Sequence, residues 1–178
     1  MSFKEYYNSE VKTQVADKLN LKNKMATPRL VKVVLNVGVG EAVMNKNVIE
    51  KVQEQVSTIA GQKAVVTKAK KSVSAFKIRK GLPIGVKVTL RGDKMYYFVE
   101  KLIRIVLPRL RDFRGIATSC IDQNGNLNIG FTEQTVFSEI EFDKIDKLRG
   151  IEVTVVTTAR DHEKGKVLFE ALGVPFKK

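Results

Sequence analysis

Apolar residues recur every fourth position at Tyr7, Val11, Val15 and Leu19, which predicts a helix over residues 3–19 with one narrow apolar stripe, closed at Asn20. After Pro28 the string RLVKVVLNV (29–37) is rich in β-branched residues and predicts a strand. Alternation puts Val31, Val33, Leu35 and Val37 on an apolar side and Leu30, Lys32, Val34, Asn36 and Gly38 on a more polar one. Gly38-Val39-Gly40 breaks the strand, and a helix is expected from about Lys46 to Ala60, with Val48, Val52, Val56 and Ile59 on one face. Ala64 to Thr67 reads as a short strand, and residues 68–82 as a loop without a clean period. From Ile84 to Arg91 alternation is strict: Ile84, Val86, Val88 and Leu90 face one way, Gly85, Lys87, Thr89 and Arg91 the other. One face of that strand is dry, the other wet and basic.

Gly92 and Asp93 open a helix with a 3.6-residue period through Met95, Phe98, Val99, Leu102, Ile103 and Val106, which Pro108 is expected to end. Residues 109–115 read as irregular, and DQNG (122–125) as a turn leading into a strand over 127–131. A short helix is expected near 143–149, a strand over 151–159 and a closing helix over 161–172, with Gly173 and Pro175 beyond it. Strands apolar on one face, at spacings that permit antiparallel pairing, predict an α+β fold. The expectation is a single domain over 1–178: a five-stranded antiparallel sheet with helices packed on one face and the other face open, and a basic loop (about 69–82) inserted between strands.

Charge changes this picture most. Between Glu54 and Asp93 there is no acid, while Lys63, Lys68, Lys70, Lys71, Lys77, Arg79, Lys80, Lys87 and Arg91 are basic. A solvated surface normally mixes both signs, so a long one-sign stretch points to a polyanionic partner. Residues 131–163 reverse the sign, with four basic and eight acidic residues against a net charge of +13 for the chain. One basic side and one mildly acidic side are therefore expected.

On the polar sheet face Asn36, Thr67, Lys68, Thr89 and Arg91 are the candidate RNA contacts, because amide, hydroxyl and cationic groups suit phosphates and 2′-hydroxyls. The bland alternative is a solvated strand face. No pair of aromatics stands on these strands, so shape and backbone recognition fit better than base stacking. In the loop Lys70, Lys71, Phe76, Lys77, Arg79 and Lys80 are the candidates, against the alternative of a flexible basic loop with no ligand. RLRDFRG presents Arg109, Arg111 and Arg114 to rRNA or to another subunit, with Asp112 pairing a neighbouring Arg. Glu133, Glu139, Glu141, Asp143 and Asp146 form an acidic segment that is by default a solvated face.

Gly38-Val39-Gly40 imitates a dinucleotide fingerprint, but Val43 stands where the third glycine belongs and no ribose-binding acid follows between 55 and 92. The two glycines are expected to let the chain turn sharply, against RNA backbone. Carboxylates are scarce where cations are dense, which argues against an RNA-processing or nucleotide-dependent enzyme. Cys120 and His162 are each alone of their kind, which makes a metal site and a disulfide unattractive; no cofactor is expected. No apolar run approaches the ~20 residues of a membrane span, and the helices lack a basic amphipathic face, so a membrane partner is not expected. No signal peptide is visible and the compartment expected is the cytoplasm.

Six strings in order carry a resemblance. They are LNVGVGEA (35–42), AGQKAVVTKAKKSVSAFKIRKGLPIGVKVTLRG (60–92), LPRLRDFRG (107–115), GNLNIGFTEQTVF (125–137), EIEFDKIDKLRGIEVTVVTTA (139–159) and LGVPFKK (172–178). Together they resemble the bacterial form of the large-subunit ribosomal protein numbered five, the 5S-rRNA binder. Departures are IDQNGNL in place of FDGRGNY, FSEI with Ser138 in place of FPEI, and LNVGVG in place of LNMGVG. The resemblance implies 5S rRNA on the open sheet side and its edges, through Asn36, Thr67, Lys68, Thr89 and Arg91. It implies that the loop bearing Lys70, Lys71, Phe76, Lys77, Arg79 and Lys80 reaches P-site tRNA. It also implies an inter-subunit contact to a basic protein of the small-subunit head, for which Arg109, Arg111, Arg114, Glu133, Glu139 and Glu141 are candidates. Large-subunit rRNA and other ribosomal proteins complete the implied partners, with no catalysis.

Overall fold

The computed structural model describes residues 2–45, 47–111, 113–140 and 145–177. Five strands, β1 (Leu30–Gly38), β2 (Val65–Lys68), β3 (Pro83–Leu90), β4 (Leu127–Phe131) and β5 (Ile151–Thr157), form one antiparallel sheet in the order β2-β3-β1-β5-β4. The helices are α1 (Phe3–Tyr6), α2 (Lys12–Lys18), α3 (Asn47–Ala60), α4 (Gly92–Lys101), α5 (Leu107–Arg109) and α6 (His162–Ala171). The α+β class and the open antiparallel sheet are as expected. By contact the chain divides into two compact units: Met1–Val33, Arg91–Ile129 and Thr154–Lys178 form one, Val34–Leu90 and Gly130–Val153 the other.

In the first unit, α1 and α2 are joined by a π-helical segment, Tyr7–Val11, in which the Lys12 N–H donates to the Tyr7 carbonyl. A strict four-residue apolar repeat drifts around a 3.6-residue helix; one wider turn corrects the drift and keeps Tyr7, Val11 and Val15 all buried. Asn20 closes the helix in the left-handed conformation (φ 50), with the Leu21 N–H reaching the Ala16 carbonyl. The Tyr7 ring lies 5.2 Å from Tyr96, and its hydroxyl accepts the buried Leu30 N–H at 3.3 Å. Burial pushes the Tyr7 hydroxyl far up, so it stays neutral. After α4 a second π segment, Leu102–Val106, leads into α5, so Pro108 lies inside the helix rather than ending it. The Leu107 N–H donates to the Leu102 carbonyl, and the helix stops after Arg109, at extended Leu110. In the turn before β4 the Asp122 carboxylate accepts the N–H groups of Asn124 and Asn126 at 2.9 and 2.8 Å. Gly125 (φ +75) packs so closely on Gly165 of α6 that a Cβ on Gly165 would lie 2.5 Å from the Gly125 Cα. The α6 helix ends at Gly173 (φ +86), with Val174 N–H returning to the Phe169 carbonyl.

In the second unit, Val48, Ile49, Val52, Val56 and Ile59 of α3 are buried, and α3 packs on β3. Gln53 donates to the Ala64 carbonyl at 2.7 Å, while the Ala64 N–H donates to the Ser57 hydroxyl at 2.9 Å, which ties the helix to the start of β2. The dry faces alternate as expected: Leu35, Val37, Val86, Val88, Leu90, Ile151 and Val153 are buried. The short helix expected near 143–149 is not formed over its described part, 145–149; residues 141–144 lie outside the described residues. The reason is Gln134, buried, whose amide donates to the Lys147 carbonyl at 2.7 Å and accepts the Arg149 N–H. A side chain thereby takes the Arg149 N–H, which a helix would pair internally.

Residues 69–82, expected as a basic loop between strands, connect β2 to β3 and pair with themselves as a hairpin: Ala69 N–H donates to Leu82 O (2.8 Å) and Gly81 N–H to Ala69 O (2.9 Å). Val73 and Ile78 exchange both backbone bonds, at 2.9 and 3.1 Å. Lys77 takes the left-handed conformation (φ 54) after the tight turn Ser74–Phe76. The residues from Lys70 to Gly81 have no strand-like alternation because they bury no face; backbone pairing, with one bond to the Ser72 hydroxyl, joins their arms.

Candidate nucleic-acid interface

The open face of the second unit is set by register. Val65 pairs with Lys87, Val66 with Val86 and Thr67 with Gly85, which aligns Thr67, Gly85, Lys87 and Thr89 on one side. A Cβ on Gly85 would stand 2.9 Å from the Thr67 hydroxyl oxygen and 2.9 Å from the Val37 carbonyl, so only glycine fits beneath that hydroxyl. Lys87 is exposed, no described acid forms an ion pair with it, and no described residue hydrogen-bonds the Thr67 or Thr89 side chain. The Thr89 carbonyl is held by Gln62, donating at 3.1 Å. Lys68 sits at a register slip, opposite Pro83 rather than Ile84, and is exposed at the strand end. The sequence reading grouped Lys68 with Thr67 on one polar face; the register slip between them is what that reading could not show.

Asn36 is half-buried, and its amide donates to the Glu152 carboxylate of β5 at 3.3 Å. Glu152 thus brings an acid onto the sheet face beside Asn36, while no described acid forms an ion pair with a cation of the basic stretch. Glu152 and Lys87 are therefore members of this face that the candidate residues omitted. Both were within reach of the same period-2 reading, since Glu152 alternates with buried Ile151 and Val153. Arg91, on the first unit, is exposed and stands at the N-cap of α4 without a side-chain cap bond.

The hairpin carries Lys70, Lys71, Lys77, Arg79 and Lys80 exposed, with Phe76 71% exposed at the turn. The cations line both arms and an aromatic ring stands at the tip. The Ser72 hydroxyl accepts the Lys80 N–H at 3.0 Å, joining the arms behind that tip.

The remaining candidates fall in both units. Arg109, Arg111 and Arg114 are exposed in the first; Glu133 and Glu139 are exposed in the second, and Glu141 lies outside the described residues. Glu133 accepts the Thr135 hydroxyl at 3.0 Å. Asp146 is not a free acid: Arg149, with its side chain only 7% exposed, grips it at 3.0 Å and Lys51 stands at 3.9 Å. That grip holds the Asp146 carboxyl below its ordinary range. Glu41 is likewise bound, to Lys147 at 2.9 Å and Arg149 at 3.8 Å. His162 stands in the first turn of α6 beside the Thr118 carbonyl at 3.2 Å, and Cys120 is a half-buried free thiol. No helix among the described residues is long and apolar enough to cross a membrane.

Comparison with known proteins decides what this surface belongs to. Residues 83–176 match the family model for the C-terminus of the ribosomal L5 family, and residues 23–79 match that of ribosomal protein L5. The chain belongs to the ribosomal protein L5 family. It is similar to the large ribosomal subunit protein uL5 of Desulfotalea psychrophila, 50% identical over 99% of both chains. The proteins of the same description from Syntrophotalea carbinolica (50% identical, 98% of this chain and 95% of that one) and Synechococcus sp. strain RCC307 (49%, 99% of each) are also similar. Membership of the L5 family, bacterial type, makes the chain a non-enzymatic constituent of the large ribosomal subunit. Ribosomal RNA and other ribosomal proteins are accordingly its partners, and the ribosome its location.

Proposed function

We propose that this L5-family protein binds 5S rRNA in the large subunit through the open face of its sheet, and touches P-site tRNA with the 69–82 hairpin. The observation that carries the reading is the row Thr67–Gly85–Lys87–Thr89: hydroxyls and a cation on rigid strands, with no side chain among the described residues claiming them. Such groups suit phosphates and 2′-hydroxyls of a structured RNA. Lys68 and Arg91 add charge at strand ends and Asn36 an amide. Lys70, Lys71, Phe76, Lys77, Arg79 and Lys80, carried out from the sheet on a hairpin, suit a second and transient RNA contact. Arg109, Arg111 and Arg114, with Glu133, Glu139 and Glu141, serve an inter-subunit contact, the acidic groups facing a basic protein of the small-subunit head. The molecule works in the cytoplasm. Gel-shift titration with 5S rRNA and with an unrelated RNA of equal length tests this: a clear preference for 5S rRNA is expected, and equal affinity for both refutes it.

A further inference from the structure

We infer that Gly38 and Gly40 are contact positions of the RNA interface, where the sugar-phosphate backbone lies directly against bare main chain. The inference rests on the RNA-binding reading above. A glycine inside a fold normally has one of two reasons: a left-handed backbone, or a neighbour that leaves no room for Cβ. Gly61, Gly81, Gly92, Gly115, Gly125 and Gly173 have the first. Gly85, Gly150 and Gly165 have the second, with atoms between 2.5 and 3.1 Å from a built Cβ. Gly38 and Gly40 have neither: both lie outside the left-handed region, and a Cβ on either would meet nothing within 4 Å. The chain does turn there, from β1 into the 3-10 segment Gly40–Val43, but neither glycine takes the left-handed conformation to make the turn.

Their surroundings give them another reason. Both are exposed, and Gly38 shares its side of β1 with Asn36. A Cβ on Gly85, the residue under the Thr67 hydroxyl, would lie 3.8 Å from the Gly38 Cα. Gly38 and Gly85 therefore make a floor without side chains, bordered by the Thr67 hydroxyl and by Asn36, whose amide donates to the exposed Glu152 carboxylate, and continued by Lys87 on β3. The acid next to Gly40, Glu41, is occupied by Lys147 and Arg149 and does not confront an approaching phosphate unpaired. Gly130 on β4 is also open, but no contact ties it to these polar groups.

Gly38→Ala and Gly40→Ala, with Gly85→Ala as the contrast, test this on the full chain with 5S rRNA. Gly38 ends β1 and Gly40 opens the short 3-10 segment Gly40–Val43, both exposed with room for a methyl, so the first two variants are expected to hold their melting temperature within about 2 °C, as surface substitutions do. Their affinity for 5S rRNA is expected to fall at least about tenfold. The salt dependence should stay unchanged, because no charge is lost. Wild-type affinity in both variants, with 5S preference intact, overturns the inference and leaves the RNA reading standing. So does a loss of melting temperature equal to that of Gly85→Ala, which would assign the glycines to the fold. A wild-type chain that does not prefer 5S rRNA fails at the earlier step and removes the basis of both.

Discussion

Lys87→Ala separates the sheet face from the hairpin by a number rather than by loss of binding. Lys87 is exposed, lies between Gly85 and Thr89 on the open face, and forms no ion pair with a described acid. If it neutralises one phosphate, its removal lowers the slope of log affinity against log salt by about 0.7–0.9. Between 50 and 200 mM salt the ratio of wild-type to variant affinity for 5S rRNA then shrinks about threefold. Truncating Lys77, Arg79 and Lys80 together removes more charge, yet should leave the 5S slope unchanged if the hairpin addresses a different RNA. Thr89→Val should weaken binding at unchanged slope, since a hydroxyl releases no counterion. Fluorescence titrations with labelled 5S rRNA at four salt concentrations supply every slope. An unchanged slope for Lys87→Ala, or a loss of about two units for the hairpin triple variant, refutes the assignment of the two RNAs to two surfaces.

Gly85→Ala should destabilise the fold by about 1–3 kcal/mol, because the new methyl meets Thr67 Oγ1 and the Val37 carbonyl; circular-dichroism melting checks it, and an unchanged transition contradicts it. Gln134→Leu leaves the buried Arg149 N–H without its partner and removes one of two donors to the Lys147 carbonyl, and should cost about 1–3 kcal/mol in urea unfolding. Tyr7→Phe leaves the Leu30 N–H unpaired in the core and should cost about 1–3 kcal/mol by the same measurement. Asp146 has its folded carboxyl held below the unfolded value, first by its hydrogen bond to Arg149, so its stabilisation is present above about pH 4 and is lost as pH falls below that. Asp146→Asn should accordingly flatten the acid limb of a stability-against-pH curve, and an identical limb would show the pair to be without consequence.

Local chemistry determined much of this protein. Period-2 alternation placed Val86, Val88 and Leu90 inside and Lys87 outside, because successive strand residues must face opposite ways. Period 3.6 located α3 and α4 for the same kind of reason, Gly173 and Pro175 bounded α6, and the acid-free run 55–92 pointed to a polyanion. What only the tertiary structure decided depends on residues far apart in the chain. Glu152 meets Asn36 across 116 positions because β1 and β5 are neighbours in the sheet, and no local charge count shows that. Gln134 reaches Lys147 and Arg149 and so suppresses a helix that local propensity favoured. The hairpin is ordered by backbone pairing between arms, to which side-chain pattern is blind. A glycine letter is identical whether it stands under a hydroxyl, as at Gly85, or on open surface, as at Gly38. Only the neighbours brought by folding tell a glycine the fold requires from one it does not.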